Sequence, residues 1–130
     1  MLRKGLRGQG WAEVSDLEIR EGGISYTVDT VREWIQRSPR QSLFWIMGSD
    51  QWGLLPTWKE PSELRKKLHF LVFPRPARPR PRNGFVMSEI PLRLDISATE
   101  IRRRIKKNLP LEGLLLPEVG LMIRKNRWYR

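Results

Sequence analysis

Hydroxyls and an arginine at one helix start are the residues best equipped for chemistry. In Ile96-Ser97-Ala98-Thr99-Glu100-Ile101-Arg102, Ser97 and Thr99 offer two hydroxyls and Arg102 follows one turn on. With the free N–H groups of a helix N-terminus, they would make a phosphate site. The same spacing also suits a well-capped surface helix: Ser97 and Glu100 form a capping box, Ile96 and Ile101 a hydrophobic staple. Gly48-Ser49-Asp50 ends an apolar run. Glycine there would admit a ligand to the backbone and Asp50 could accept hydrogen bonds from a ribose or a base, although an ordinary Gly-Asp turn reads alike. Trp58, in Leu55-Pro56-Thr57-Trp58-Lys59, could stack on a pyridine or adenine ring, or plug the core. Gly23-Ile24-Ser25-Tyr26-Thr27 leads into a helix whose first N–H groups could receive a carboxylate or simply be capped. His69 is the only histidine and has no acidic or nucleophilic neighbour in sequence, which fits a structural role and excludes a histidine metal cluster.

Elements must place these residues. Val14 to Ile19 alternates apolar and polar and reads as a strand near a sheet edge. After Gly22-Gly23, Thr27 makes a helix N-cap with Asp29 in the first turn. Val28, Val31, Trp34 and Ile35 follow at helical spacing as far as Ser38-Pro39. Leu43 to Met47 is apolar throughout, as expected of a parallel strand covered on both faces. Pro61 opens a short helix through Leu64 and Leu68, Phe70 to Phe73 is a second buried strand, and Val86 to Ile90 a third. A last helix from Pro117 turns Val119, Met122 and Ile123 inward. Alternating helices and buried strands indicate an α/β protein with a mostly parallel sheet.

The chain of 130 residues has room for one domain, 1–130. A hydrophobic fraction of 39% and six tryptophans argue for a packed protein, and nothing approaches the apolar length of a membrane span. The absence of cysteine excludes disulfides and thiolate chemistry and fits a cytoplasmic protein. The net charge of +11 is uneven: Arg75 to Lys107 carries ten Lys/Arg against Glu89, Asp95 and Glu100. That excess suits an anionic partner, a nucleotide or a nucleic acid, or else a solvated basic surface. Between 74 and 85 prolines and arginines interleave, which should keep that loop extended and mobile.

Taken in order, Ser15 to Arg20, Gly23 to Thr30, Ile46 to Asp50, Leu55 to Trp58, His69 to Pro76, Ile96 to Arg102 and Leu115 to Glu118 resemble the bacterial nicotinate-nucleotide adenylyltransferases. The similarity covers nearly the whole chain. Its Ile-Ser-x-Thr-x-Ile-Arg motif is common to related adenylyltransferases, whereas Ser-Tyr-Thr and Pro-Thr-Trp point to the nicotinate branch. The resemblance implies the C-terminal part of a Rossmann-like nucleotidyltransferase fold. It implies transfer of AMP from ATP, carried with Mg2+, to nicotinate mononucleotide. On that reading Trp58 stacks on the pyridine, while backbone amides near Tyr26-Thr27 and at Lys59 hold its carboxylate. Gly48 and Asp50 meet the adenosine side, Val72 to Arg75 flanks adenine, and Ser97, Thr99 and Arg102 bind phosphates. The family's opening GxFxPxHxGH-type segment, with its paired histidines, has no counterpart in Met1 to Trp11, and Met1 to Leu6 reads as the interior of a helix. The expectation is therefore an N-terminally truncated chain, its opening βα units missing, with little turnover and an exposed apolar sheet edge open to oligomer formation. No membrane partner is expected. A pantetheine-phosphate adenylyltransferase is the first alternative. The second is a small basic nucleic-acid-binding protein, for which the chain shows no recognition motif.

Overall fold

Three short apolar segments pair side by side in the computed structural model, which describes residues 1–75, 77–92 and 96–129. They are β1 (Leu43–Gly48), β2 (Leu68–Phe73) and β3 (Val86–Glu89), all parallel, in the order β1-β2-β3. Leu43 stands opposite Leu68 and Gly48 opposite Phe73, while His69 stands opposite Val86. Parallel strands cannot be joined by a tight hairpin and need a crossover. Between β1 and β2 that crossover holds α4 (Ser49–Leu54), a 3-10 turn (Leu55–Thr57) and α5 (Pro61–Lys67). Between β2 and β3 it is the Pro/Arg-rich segment.

By its contacts the chain divides into a central unit, Asp16–Asp95, and a terminal unit, Met1–Ser15 with Ile96–Arg130. The central unit's core lies on one face of the sheet. Leu68, Phe70 and Val72 alternate inward along β2, as a period of two requires. They meet Met47 of β1, Trp52 of α4, Leu55, and Leu64 of α5. Val28 and Val31 of α3 (Thr27–Arg37) complete the core, with Ile35 packed against it. The spacing of 28, 31 and 35 places all three on one helical face, so α3 forms as an amphipathic helix.

The opposite face of the sheet differs from expectation. Phe44 and Ile46 are 55% and 66% exposed, so β1 is covered on one side only. An apolar run shows that a strand can be buried on both faces, and only a layer packed on the second face makes it so. A second difference concerns Val14 to Ile19. The segment forms α2 (Leu17–Glu21) in place of a strand, with Asp16 as N-cap and an Arg20–Asp16 ion pair of 3.0 Å across one turn. Alternation alone cannot hold a strand without a neighbouring ladder, whereas a short helix satisfies its backbone internally. Smaller shifts follow local chemistry: Tyr26, in extended conformation, is the N-cap of α3, and Leu68 begins β2 where a helix end was expected.

The terminal unit holds α1 (Leu2–Gly5), α6 (Ala98–Lys106) and α7 (Pro117–Lys125), with α1 against α7. Ile123 is buried on α7, while Val119 and Met122 are half-buried. Among the described residues, no helix is long and apolar enough to cross a membrane.

Candidate active site

Around the start of α3 the sequence brings together two loops that lie far apart along the chain. Tyr26 is extended (φ −100°, ψ 138°) and no side chain caps the helix behind it. The first N–H groups of α3 are orphans by geometry and attract negative charge. Lys59 reaches this end of the helix: its Nζ lies 4.5 Å above the Tyr26 ring and 2.9 Å from Asp29 Oδ2. The hydrogen bond from Lys59 holds the Asp29 carboxyl below its usual range, and Arg32 adds to the effect. Trp58 precedes Lys59 where the 3-10 turn ends. Its N–H donates to Leu55 O at 3.1 Å, and the Thr57 hydroxyl donates to Leu54 O at 2.8 Å. The Trp58 ring is half-buried against the edge of the core. It is therefore partly a core residue and partly open to a ligand. Tyr26, Thr27, Trp58 and Lys59 thus stand on two facing turns.

The next residue is strained. Glu60 adopts φ 49° and ψ 55°, a left-handed conformation that costs a glutamate about 1 kcal/mol or more. Its carboxylate is gripped by Arg32 Nη2 at 2.6 Å. The same guanidinium holds Glu63 through Nε (3.1 Å) and Nη2 (2.5 Å), and Asp29 through Nη1 (3.0 Å). Glu63 is thereby held below the usual carboxylate range, chiefly by its Arg32 hydrogen bond, and Arg32 is pushed up in turn by Glu63 and Glu60.

A second group surrounds the end of β1. Gly48 closes the strand and α4 begins at Ser49, so Asp50 lies in the first turn of α4, exposed. The Ser49 hydroxyl accepts the Arg75 N–H at 2.7 Å and lies within donating distance of two carbonyls, Arg75 O (2.9 Å) and Ala77 O (2.7 Å). This splint brings the end of β2 over Gly48. A Cβ at position 48 would lie 3.4 Å from Arg75 Cδ and collide with the Asp50 carboxylate, so the glycine permits a close approach. Below, Trp52 is buried between Phe70 and Phe85, with ring centroids 5.4 Å and 5.9 Å away, and its Nε1 donates to Arg80 O at 2.8 Å. Arg82 lies 5.9 Å over the same indole and donates to Gly53 O at 2.9 Å. An open hollow of about 560 Å³ lies among Ser49, Asp50, Trp52, Arg75, Arg80 and Arg82. Gly48, Asp50 and Arg75 therefore stand together. Val72 stands opposite Met47, one register step from Gly48, with its side chain fully buried in the core.

The third group belongs to the terminal unit. Ser97 caps α6, its Oγ accepting the Glu100 N–H at 3.0 Å, and Arg102 Nη2 donates to Thr99 Oγ1 at 3.3 Å. The capping box is made by half. Glu100 turns away to Arg103, at 2.6 Å twice, and to Arg104 at 3.0 Å. The hydrogen bond from Arg103, with that from Arg104, draws the Glu100 carboxyl down to about 2. His69 bonds Ser88 Oγ at 2.9 Å and lies 5.2 Å from the Phe44 ring, tying β2 to both neighbouring strands. Among the described residues no group of three or more His, Cys, Asp or Glu is placed to hold a metal ion.

Over 135 aligned residues the chain is 36% identical to a protein of Opitutus terrae named as a probable nicotinate-nucleotide adenylyltransferase, covering 100% of this chain and 69% of that protein. The chain belongs to the nicotinate-nucleotide adenylyltransferase family. A protein of the same name from Methylacidiphilum infernorum is 40% identical, over 90% of this chain and 58% of its own length. A third, from Desulfitobacterium hafniense, is 33% identical over 100% and 69%. The chain thus spans between 58% and 69% of the length of these adenylyltransferases. The fold is that of the Plasmodium falciparum nicotinic acid mononucleotide adenylyltransferase solved with NaAD, at TM-score 0.66 and 19% identity, over 82% of this chain and 58% of that one. No family model matches the chain.

No motif marks the roles of Ser49, Trp52 and Arg32 in this adenylyltransferase chain. Ser49 lies inside Gly48-Ser49-Asp50, where its type alone does not distinguish a splint from a turn residue. Arg32 had one legible signal, its place three residues after Asp29 on the same helical face. Its partners Glu60 and Glu63 come from a distant turn that spacing cannot reveal.

Proposed function

We propose that this chain serves an enzyme that transfers AMP from ATP to nicotinate mononucleotide, giving nicotinate adenine dinucleotide and pyrophosphate. The observation that carries the reading is the apposition of the α3 start and the Trp58-Lys59 turn, joined by Lys59 to Tyr26 and Asp29. Those turns offer what an acidic pyridine needs: an aromatic face at Trp58, N–H groups at Thr27 and Lys59, and an ammonium. Gly48, Asp50 and Arg75 receive the adenosine side. Ser97, Thr99 and Arg102 take phosphate oxygens.

In the reaction, a phosphate oxygen of the mononucleotide bonds to the α-phosphorus of ATP. The bond from that phosphorus to the bridging oxygen breaks, and pyrophosphate leaves with the electron pair. Such a displacement requires alignment and charge neutralisation rather than a protein nucleophile. Magnesium enters as part of the ATP substrate, carried on its phosphates. We further propose that the 130 residues form one nucleotidyltransferase domain that binds its ligands but turns over little, because its single histidine cannot supply the family's paired histidines.

Calorimetric titration of the chain with nicotinate mononucleotide, beside an assay for dinucleotide formation, tests this. Binding should be measurable with little product, and Trp58→Ala should weaken it about tenfold or more, as loss of ring stacking does. An unaltered chain that ignores nicotinate mononucleotide but binds pantetheine phosphate or nucleic acid would refute the reading.

A further inference from the structure

Arg32 is not among the residues expected to contact the pyridine, yet its guanidinium joins the first turn of α3 to the turn that ends at Glu60. We propose that Arg32 is a positioning residue, one that fixes the turn presenting Trp58 and Lys59 to the start of α3 and thereby sets the affinity for an acidic pyridine. This inference rests on the proposed function of that site.

The geometry is that of a clamp. One guanidinium spans two elements, reaching Asp29 on its own helix at 3.0 Å and Glu60 and Glu63 at the start of α5 at 2.6 Å and 2.5 Å. Glu63 is held by two donors, Nε and Nη2, a fork that a lysine ammonium cannot reproduce. Glu60 is the crucial partner because it follows Lys59 directly and sits in the left-handed region. A glutamate leaves that region readily unless something holds it. Any relaxation of its backbone rotates the peptide before it, which is the Lys59 end of the ligand turn. Lys59 is tied from the other side by Asp29 and Tyr26, so the turn is bracketed between two charged contacts.

Charge gives the clamp a second consequence. Asp29, Glu60 and Glu63 place three carboxylates beside the expected carboxylate site, and Arg32 and Lys59 oppose them. Without Arg32 only Lys59 opposes Asp29 directly, and an incoming carboxylate meets net repulsion that a neutral amide escapes. Arg32 is 39% exposed, and exposed ion pairs contribute little to folding. Its loss should be felt in binding before it is felt in stability.

The test titrates the unaltered chain, Arg32→Gln, Arg32→Lys and Glu60→Gly with nicotinate mononucleotide, nicotinamide mononucleotide and a non-hydrolysable ATP analogue, and records each unfolding midpoint. Arg32→Gln should lose on the order of tenfold in nicotinate mononucleotide affinity. It should lose less for the amide and nothing for the ATP analogue, and lysine should restore only part. Glu60→Gly removes the gripped carboxylate while relieving the strained backbone, so a merely structural role predicts an equal or firmer fold with unchanged binding. The clamp predicts weakened nicotinate mononucleotide binding even so, and this variant decides the matter if Arg32→Gln does not fold. Unchanged nicotinate mononucleotide affinity in Glu60→Gly, or equal losses for all three ligands in a folded Arg32→Gln, would overturn the inference alone. An unaltered chain that binds no nicotinate mononucleotide would overturn the proposed function, and this inference with it.

Discussion

Trp52→Phe should loosen the loop around Arg80 while leaving the core filled. Trp52 is 2% exposed and meets Phe70 and Phe85, so a phenylalanine can take up most of the same packing. It cannot replace the 2.8 Å bond from Nε1 to Arg80 O. Losing a hydrogen bond and leaving its acceptor partly unsatisfied costs about 1–3 kcal/mol. The smaller ring and the weaker seat for Arg82 act in the same direction, so about 2 kcal/mol is a fair expectation for local opening. Every 1.4 kcal/mol is tenfold, so the open population rises roughly 25-fold. Cleavage of an opened segment follows that population when opening is fast. The assay is limited trypsin digestion at the Arg82-Asn83 bond, beside global unfolding in urea. Faster cleavage with a modest fall in global stability is expected. Equal cleavage rates in the two proteins would show that the indole does not anchor the loop, and the reasoning would fail.

Two further predictions concern the sheet and α6. Met47→Ala should cost about 2–5 kcal/mol, whereas Ile46→Thr, one residue back and 66% exposed, should change stability by less than about 0.5 kcal/mol; comparable losses in urea unfolding would mean that the open face is covered. For Glu100 the folded-state carboxyl sits at about 2 against an ordinary 4.5, so its contribution to α6 is complete above pH 4.5 and is lost as pH falls from there toward 2. Amide exchange in α6 should accelerate across that window, less so in Arg103→Gln, and a pH-independent α6 would contradict the pairing.

The parts of the fold that follow from local pattern were legible in the sequence. Leu43 to Met47, Phe70 to Phe73 and Val86 onward form parallel strands, and Ser97 caps α6 as its spacing to Glu100 requires. What escaped depends on neighbours. Val14 to Ile19 has the alternation of a strand but no ladder partner among the described residues, so Leu17–Glu21 coils into a helix. Phe44 and Ile46 are as apolar as Trp45 and Met47, yet only the latter pair faces packed helices. Hydropathy reports what burial a residue tolerates, and topology decides whether it occurs.

The candidate site was legible in a similar, selective way. Residues expected to meet the ligand announce themselves by type and motif, as Trp58, Asp50 and Ser97 do. Residues that hold those groups in place work through the backbone of another segment, and no motif encodes that. Ser49 splints Arg75 and Ala77, Trp52 pins Arg80, and Arg32 grips Glu60. For a displacement at phosphorus, alignment contributes more than any single acid or base, because the reacting oxygen and phosphorus must meet in line. A small error in a supporting contact then reaches the reaction as directly as the loss of a ligand contact. The supporting residues of such an enzyme should therefore rank beside its ligand contacts in mutational effect, and Arg32, half-buried and holding the turn after Lys59 through Glu60, is the sharpest case in which to measure it.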